Sequence, residues 1–519
     1  MSTLQNVGQK PKVTLALLAF FTLLYNYFFW EEQFGLNLSL FSALLLAASL
    51  YAHGRPGRNA WVAAGFTLLS GIMVVWHNSF VSKLAHLVSC FLTVGFLHEP
   101  RLRSVLYAAW YAARTTWETG LQGLPLLGRG IADLTPRVAV FKAAPRWLKL
   151  LTVPGAFFSV FFVIFSIANP VFADLGARLG TYLGEALELL FGNFSPLRLL
   201  FILPGVYLVA LVLYKWDIPE VYGQESGETN VIVRRRLRRK LGKLAGMIAL
   251  KNERQAALLL VISVNLLLVV VNVIDVRWLW FNFDPKQAGN LTKLVHEGTY
   301  MLILSILLSM GILIYYFRSN QNFYPKNGLL KAAAYLWLVQ NAVLSVSVLI
   351  RCGYYISEFG LAYKRIGVII FLGLVFFGLF TLYRKISGQK SFYYLLRTNA
   401  WAAYAVLIGL SLVNWDVLIV SHNLDPRHVQ SRILDTPFLL NRSDKTLPLL
   451  DAHRDRLRAF PGYTHYGERS FEHLHSIEHL DRRIADFVRT YESHSWLSWN
   501  YADYRTYQYF KHKSGDSKQ

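Results

Sequence analysis

The chain predicts an all-α fold: a polytopic membrane helical bundle of about 11 transmembrane helices with a small helical C-terminal extramembrane domain. Three observations carry this. Of 519 residues, 54% are hydrophobic and only 16% charged, whereas a soluble domain carries about a quarter charged residues. Apolar runs of about 20 residues, the length a helix needs to cross a bilayer, recur from the N-terminal end onward. After residue 420 the apolar runs stop, and nine of the fourteen histidines fall there.

The expected spans are 13–30, 35–52, 60–77, 79–97, 151–172, 196–214, 255–273, 297–317, 329–350, 366–384 and 400–420. The run from Val13 to Trp30 has no small-residue cleavage site after it, and a second run follows at once, so it reads as a retained first helix. The fourth run is interrupted by Lys83 and His86. Four segments follow: a four-span unit over 1–97, a cytoplasmic amphipathic connection over 98–150, a seven-span bundle over 151–420, and a helical tail domain over 421–519.

Charge gives these spans a direction. With the N-terminus placed in the cytoplasm, the inner loops hold 29 Lys and Arg and the outer ones nine, Arg277 and Arg351 among the latter. Lys and Arg accumulate on the cytoplasmic side, which is the expected arrangement for an inner-membrane protein. An odd number of spans then carries the C-terminus to the periplasm. The net charge of +22 is accounted for by these loops, and no nucleic-acid partner is expected. The basic cluster at 234–243, within "VIVRRRLRRKLGKL", is an expected contact for anionic lipid headgroups. Cys90 and Cys352 are the two cysteines; they form neither a disulfide framework nor a metal pair.

Between spans, "RLRSVLYAAWYAARTTWETGL" reads as a basic amphipathic helix on the membrane surface, with Leu102, Leu106, Trp110 and Tyr111 on one side. Gly176, Gly180 and Gly184 recur every fourth residue, a flat face for helix packing. Trp278, Trp280 and Phe281 fit an interfacial aromatic belt.

Ionisable groups at membrane depth are functional candidates. His86 is one such group. Glu31 and Glu32 mark the outer mouth of the first span and are catalytic candidates for a transferase using a lipid-linked donor, which needs a base near its acceptor hydroxyl. The first outer loop is short for that chemistry. Asn265, Asn272, Gln340 and Asn341 lie within spans and read as interhelical hydrogen-bond glue. A small-solute transporter is a further alternative, for which no deep carboxylate and no internal repeat is evident.

In the tail, Asp425 with Pro426 reads as a helix start. Ser443 reads as the cap of a helix running to Phe460, and a periodic apolar stripe runs from Glu468 to Tyr491. A final aromatic helix is expected over about 497–510. Glu472, His475 and His479 share one helix face as weak metal candidates; a solvated polar face is the competing reading, and no cofactor is expected.

"NLDPRHVQSRILDTPFLLNRSDKTLPLLDAH" (423–453) resembles the C-terminal signature of a bacterial multi-pass membrane family catalogued as domain of unknown function 4153/4173. Asn423, Leu434, Asp435, Phe438, Leu439, Ser443, Asp444, Leu447 and Pro448 carry the match. "SWLSWNYADYRTYQYF" (495–510) and "ANPVF" (168–172) are similar to its aromatic-basic ending and its mid-chain Asn-Pro motif. The resemblance implies a bacterial integral membrane protein and supplies no catalytic residues. Envelope maintenance or signalling through the periplasmic tail, with an envelope protein as its partner, is the function expected.

Overall fold

The computed structural model describes residues 3–4, 11–54, 56–134, 154–155, 157–158, 160–191, 196–233, 250–282, 291–318, 320–427, 434–459 and 473–516. These are almost wholly helical, as the composition requires. They fall into two compact units, one built mainly from residues 1–226 with 410–412 and 493–502, the other from 227–409, 413–492 and 503–519.

The first unit contains α1 (Pro11–Phe29), α2 (Leu36–His53), α3 (Arg58–His77), α4 (Phe80–His98) and α5 (Val105–Leu134). A helical stretch over 160–168, α6, precedes α7 (Pro170–Phe191), α8 (Pro196–Leu213) and α9 (Pro219–Gly227). A two-residue antiparallel pairing joins β1 (Thr3–Leu4) to β2 (Trp216–Asp217). Aromatic and aliphatic side chains of α1, α2 and α8 form its core, with Phe21, Phe28 and Phe41 buried against Val209 and Leu213.

The α3–α4 hairpin turns within two residues. Asn78 adopts the left-handed conformation, φ 46°, that Asn tolerates. Ser79 then caps α4 by accepting a hydrogen bond from the Ser82 amide. The fourth expected span is therefore a helix long and apolar enough to cross a membrane. Lys83 lies in its first turn, where a long side chain reaches outward.

The residues expected on one side of a surface helix divide: Leu106 and Trp110 of α5 are exposed, whereas Tyr111, and Leu102 before the helix, are buried. Tyr111 is drawn inward because its hydroxyl donates to the Trp216 carbonyl at 2.6 Å. The run expected as a span over 151–172 is interrupted at Asn169, whose side chain accepts from the amides of Val171 and Phe172 and starts α7 with Pro170 at its first position. Gly176 sits against the Phe162 ring, Gly180 has no neighbour within 4 Å, and the side-chain face at Gly184 lies outside the described residues.

The second unit contains α10 (Leu250–Ile274), which continues as a π-helical turn over Asp275–Trp280. There follow α11 (Leu291–Tyr316), α12 (Gly328–Phe359), α13 (Tyr363–Ser387), α14 (Phe392–Ser411) and α15 (Trp415–Leu424). The tail adds α16 (Thr436–Leu440), α17 (Leu447–Ala452), α18 (Arg454–Ala459), α19 (His473–Ser493) and α20 (Tyr501–Asp516). Its membrane core buries Trp337, Leu330, Leu313 and Leu382 among α10 to α13.

Among the described residues five helices are long and apolar enough to cross a membrane, and four shorter apolar helices accompany them. The last expected span is not one rod: α14 and α15 meet at an angle of 62°. Asn414 explains the break, since its side chain accepts from the Val417 amide and starts a new helix.

The tail also departs from its expected boundaries. Asp425 ends α15 and accepts from the Arg427 amide, so no helix begins at Pro426. The helix expected from Ser443 to Phe460 is divided into a 3-10 turn and the separate helices α17 and α18. The final helix starts at Tyr501, after a 3-10 turn over Trp496–Ser498.

Candidate functional site

The sequence-predicted residues are distributed over separate places. His86 is fully buried between α3 and α4. Its Nδ1 lies 3.1 Å from the Thr67 carbonyl and 3.2 Å from Ser70 Oγ, and its Nε2 lies 3.6 Å from Cys90 Sγ. A carbonyl only accepts, which assigns the ring proton to Nδ1 and leaves Nε2 to accept from the thiol. Gly71 leaves room for the ring; a Cβ there would stand 3.2 Å from the imidazole.

Glu31 is exposed and has a left-handed backbone, φ 61°. Glu32 is engaged: its carboxylate accepts from the hydroxyls of Ser495 and Ser498. The Gln33 amide donates to Ser498 Oγ at 2.8 Å, and the Leu36 amide donates to the Trp499 carbonyl at 2.9 Å. The segment 493–502 is thereby fastened to the loop between α1 and α2. Glu31, Glu32 and His86 are not brought together in one contact.

The span amides do meet. Asn265 donates to the Ala333 carbonyl at 3.0 Å and Asn272 to the Gln340 carbonyl at 3.1 Å. The two donors are seven residues apart, and so are the two acceptors. Two helical turns are thus matched between helices running in the same direction. Gln340 closes the ladder by donating to Asn265 Oδ1 at 2.6 Å.

One pair was not legible in advance. Where α10 widens into its π turn, Asp275 accepts from Arg351 of α12 at 2.7 Å, with the two side chains 5% and 10% exposed. Arg351 stands near the end of an apolar run and reads as an outer-loop charge. The signal that could have found the pair is an Asp and an Arg at matched positions of two spans, each of which could hold an ion only if paired.

The tail carries a recess. A cleft of ≈ 590 Å³ lies among α17 to α20, lined by Ile484, Val488 and Phe510 together with Arg454, Glu492 and Lys511. Cavities of about 300–1,000 Å³ are the size of ligand sites. Asp451 organises one wall. Its side chain is 1% exposed and accepts from Arg454 Nε at 2.7 Å, Lys513 Nζ at 2.6 Å and Tyr509 Oη at 2.9 Å. Burial works to raise the Asp451 pKa, but the bonds from Lys513, Arg454 and Tyr509 outweigh it and hold the carboxyl below its ordinary value. Arg454 bridges onward to Asp481 at 2.6 Å.

Of the metal candidates, His479 is exposed on α19; Glu472 and the side chain of His475 lie outside the described residues. Among the described residues no three His, Cys, Asp or Glu side chains gather as a metal-ligand set. The basic cluster at 234–243 also lies outside the described residues.

The signature positions act structurally. Asn423 accepts from the Leu361 amide at 2.6 Å and donates to its carbonyl at 2.9 Å. It fastens a turn whose Gly360 has φ 74° and no room for a side chain. Asp435 caps α16 through the Phe438 amide, Asp444 accepts from Arg483, and Leu439 and Leu447 lie in the tail core.

The family described as Domain of unknown function (DUF4153) matches residues 15–453. The chain belongs to this family, and its helical, multi-pass membrane character agrees with the fold. No curated protein and no solved structure matches it.

Proposed function

We propose that the chain is a recognition protein of the bacterial inner membrane, with a cytoplasmic N-terminus and a periplasmic helical tail that binds an envelope partner. The cleft around Asp451 is the single observation that carries this reading. Its lining combines apolar side chains that can anchor a partner, charges of both signs and one multiply bonded carboxylate. That combination suits a peptide segment of an envelope protein. The tail has a core of its own, with Leu424, Leu450, Leu480, Phe487 and Phe510 buried together.

Two observations support the outer placement. The loop charges favour a cytoplasmic N-terminus, which puts the α1–α2 loop outside. The segment 493–502 is bonded to that same loop through Glu32, Gln33 and Leu36, so both belong on one side. The basic cluster at 234–243 then meets anionic headgroups of the inner leaflet.

The test is photocrosslinking in living cells, with p-benzoylphenylalanine placed at Val488 in the cleft or at Arg482, exposed on α19. A discrete protein adduct from position 488 and none from 482 is expected. Equal yields from both positions would refute a working cleft.

A further inference from the structure

Besides Arg254 Nε near the start of α10, six buried side-chain atoms along α10, its π turn and α12 have no hydrogen-bond partner: Asn272 Oδ1, Asp275 Oδ2, Gln340 Oε1, Asn341 Oδ1, Trp337 Nε1 and Arg351 Nε. Every one of these residues is more than nine-tenths buried. Each unmet buried group costs about 1–3 kcal/mol, and the cost is no smaller where lipid replaces water around the bundle. A native membrane core would not carry six such groups along two neighbouring helices without something to meet them.

The chemistry of the set narrows what that is. Four of the atoms accept and two donate. An anion could serve only Trp337 and Arg351. A metal cation could serve only the oxygens, and it would stand beside the Arg351 guanidinium. Water both donates and accepts, and a buried water makes about three hydrogen bonds to groups of this kind.

The arrangement along the helices is also suited to water. Asn272 and Asp275 are three residues apart, on one face of α10. Gln340, Ser347 and Arg351 fall at i, i+7 and i+11, on one stripe of α12. The π turn over Asp275–Trp280 alters the backbone hydrogen bonding of α10 beside this stripe, and π turns are frequent at functional positions. Trp280 Nε1 donates to Ser347 Oγ at 3.0 Å, so the stripe is polar up to its outer end.

We propose that α10 and α12 hold a set of internal water molecules, entering at the Arg351 end and reaching Trp337. These waters bridge the amides to the Asp275–Arg351 pair and carry solvent, and with it protons, into the middle of a span. This goes beyond the recognition function and stands independently of it.

Hydroxyl-radical footprinting by X-ray radiolysis tests this on the unaltered full-length protein in lipid nanodiscs. Radicals born from bound water oxidise the side chains that touch it. Trp337 and Trp216 are both fully buried, but Trp216 Nε1 is satisfied by Thr119 Oγ1 at 2.9 Å. Trp337 is expected to be oxidised at least about threefold faster than Trp216, because it alone has a free donor for water. Amide exchange over residues 335–345 is expected to stay slow, as bound water requires and local unfolding does not. In the Asn272→Leu/Gln340→Leu variant the Trp337 rate should fall towards that of Trp216, while slow amide exchange over 335–345 reports that the fold survives. Equal rates in the unaltered protein, or fast amide exchange over 335–345, would overturn the proposal.

Discussion

The carboxylate of Glu32 is hydrogen-bonded to the hydroxyl of Ser498, 466 residues later in the chain. This contact brings the loop between α1 and α2 and the segment 493–502 together, and it gives Glu32 a structural task. Glu32→Ala should loosen the segment 493–502 without preventing membrane insertion. Its cost is about 1.5–3 kcal/mol, the range for a charged hydrogen-bond partner. Hydrogen–deuterium exchange would read this as faster exchange at residues 496–500. Unchanged exchange there would show that the carboxylate does not hold the segment.

The ladder between α10 and α12 makes a graded prediction. Asn265 donates to Ala333 and accepts from Gln340, whereas Asn272 only donates across the seam. Interhelical hydrogen bonds in membranes contribute about 0.6–2 kcal/mol each. Asn265→Leu should therefore lower the Tm in detergent more than Asn272→Leu. The reverse order would contradict the assigned partners.

The Asp275–Arg351 pair should behave as a buried ion pair. Removing one partner strands a charge, at about 3–5 kcal/mol, whereas replacing both by apolar residues is often neutral. Arg351→Leu is expected to reduce accumulation of folded protein, and Asp275→Leu/Arg351→Leu to restore most of it. Size-exclusion profiles of the three proteins distinguish this from two independent losses.

Asp451 makes the tail acid-sensitive in a defined direction. Its folded pKa is depressed, so the group contributes its full stabilisation above the unfolded value of about 3.9. That contribution is lost as pH falls from there through the folded pKa. Asp451→Asn should lower tail stability at neutral pH by about 1–3 kcal/mol and flatten the pH dependence below about pH 4. A titration monitored by tyrosine fluorescence, with Tyr509 beside the carboxyl, follows both. An unchanged acid transition in the variant would remove Asp451 from this role.

The bundle was legible because lipid imposes long apolar runs, and the tail because those runs end. The amides Asn265, Asn272 and Gln340 were legible as glue because polar groups in a span must find partners. What escaped was long-range or local. Asp275 and Arg351 are 76 residues apart, and nothing in either neighbourhood names the other. Asp451 draws Arg454 from the next helix but Lys513 from the far end of the tail. The break before α15 turns on the single cap at Asn414, which a hydropathy window averages away. The cleft in the tail is the product of such distant pairings, and its lining could not be read from spacing.

The central claim is that the tail works outside the cytoplasm. Fusing alkaline phosphatase, which folds to activity only outside the cytoplasm, or green fluorescent protein, which fluoresces only inside when exported by the general route, after Gln519 tests it most directly. The account predicts an active phosphatase fusion and a dark fluorescent one. A bright fluorescent fusion with inactive phosphatase would contradict it, and would place the α1–α2 loop inside as well.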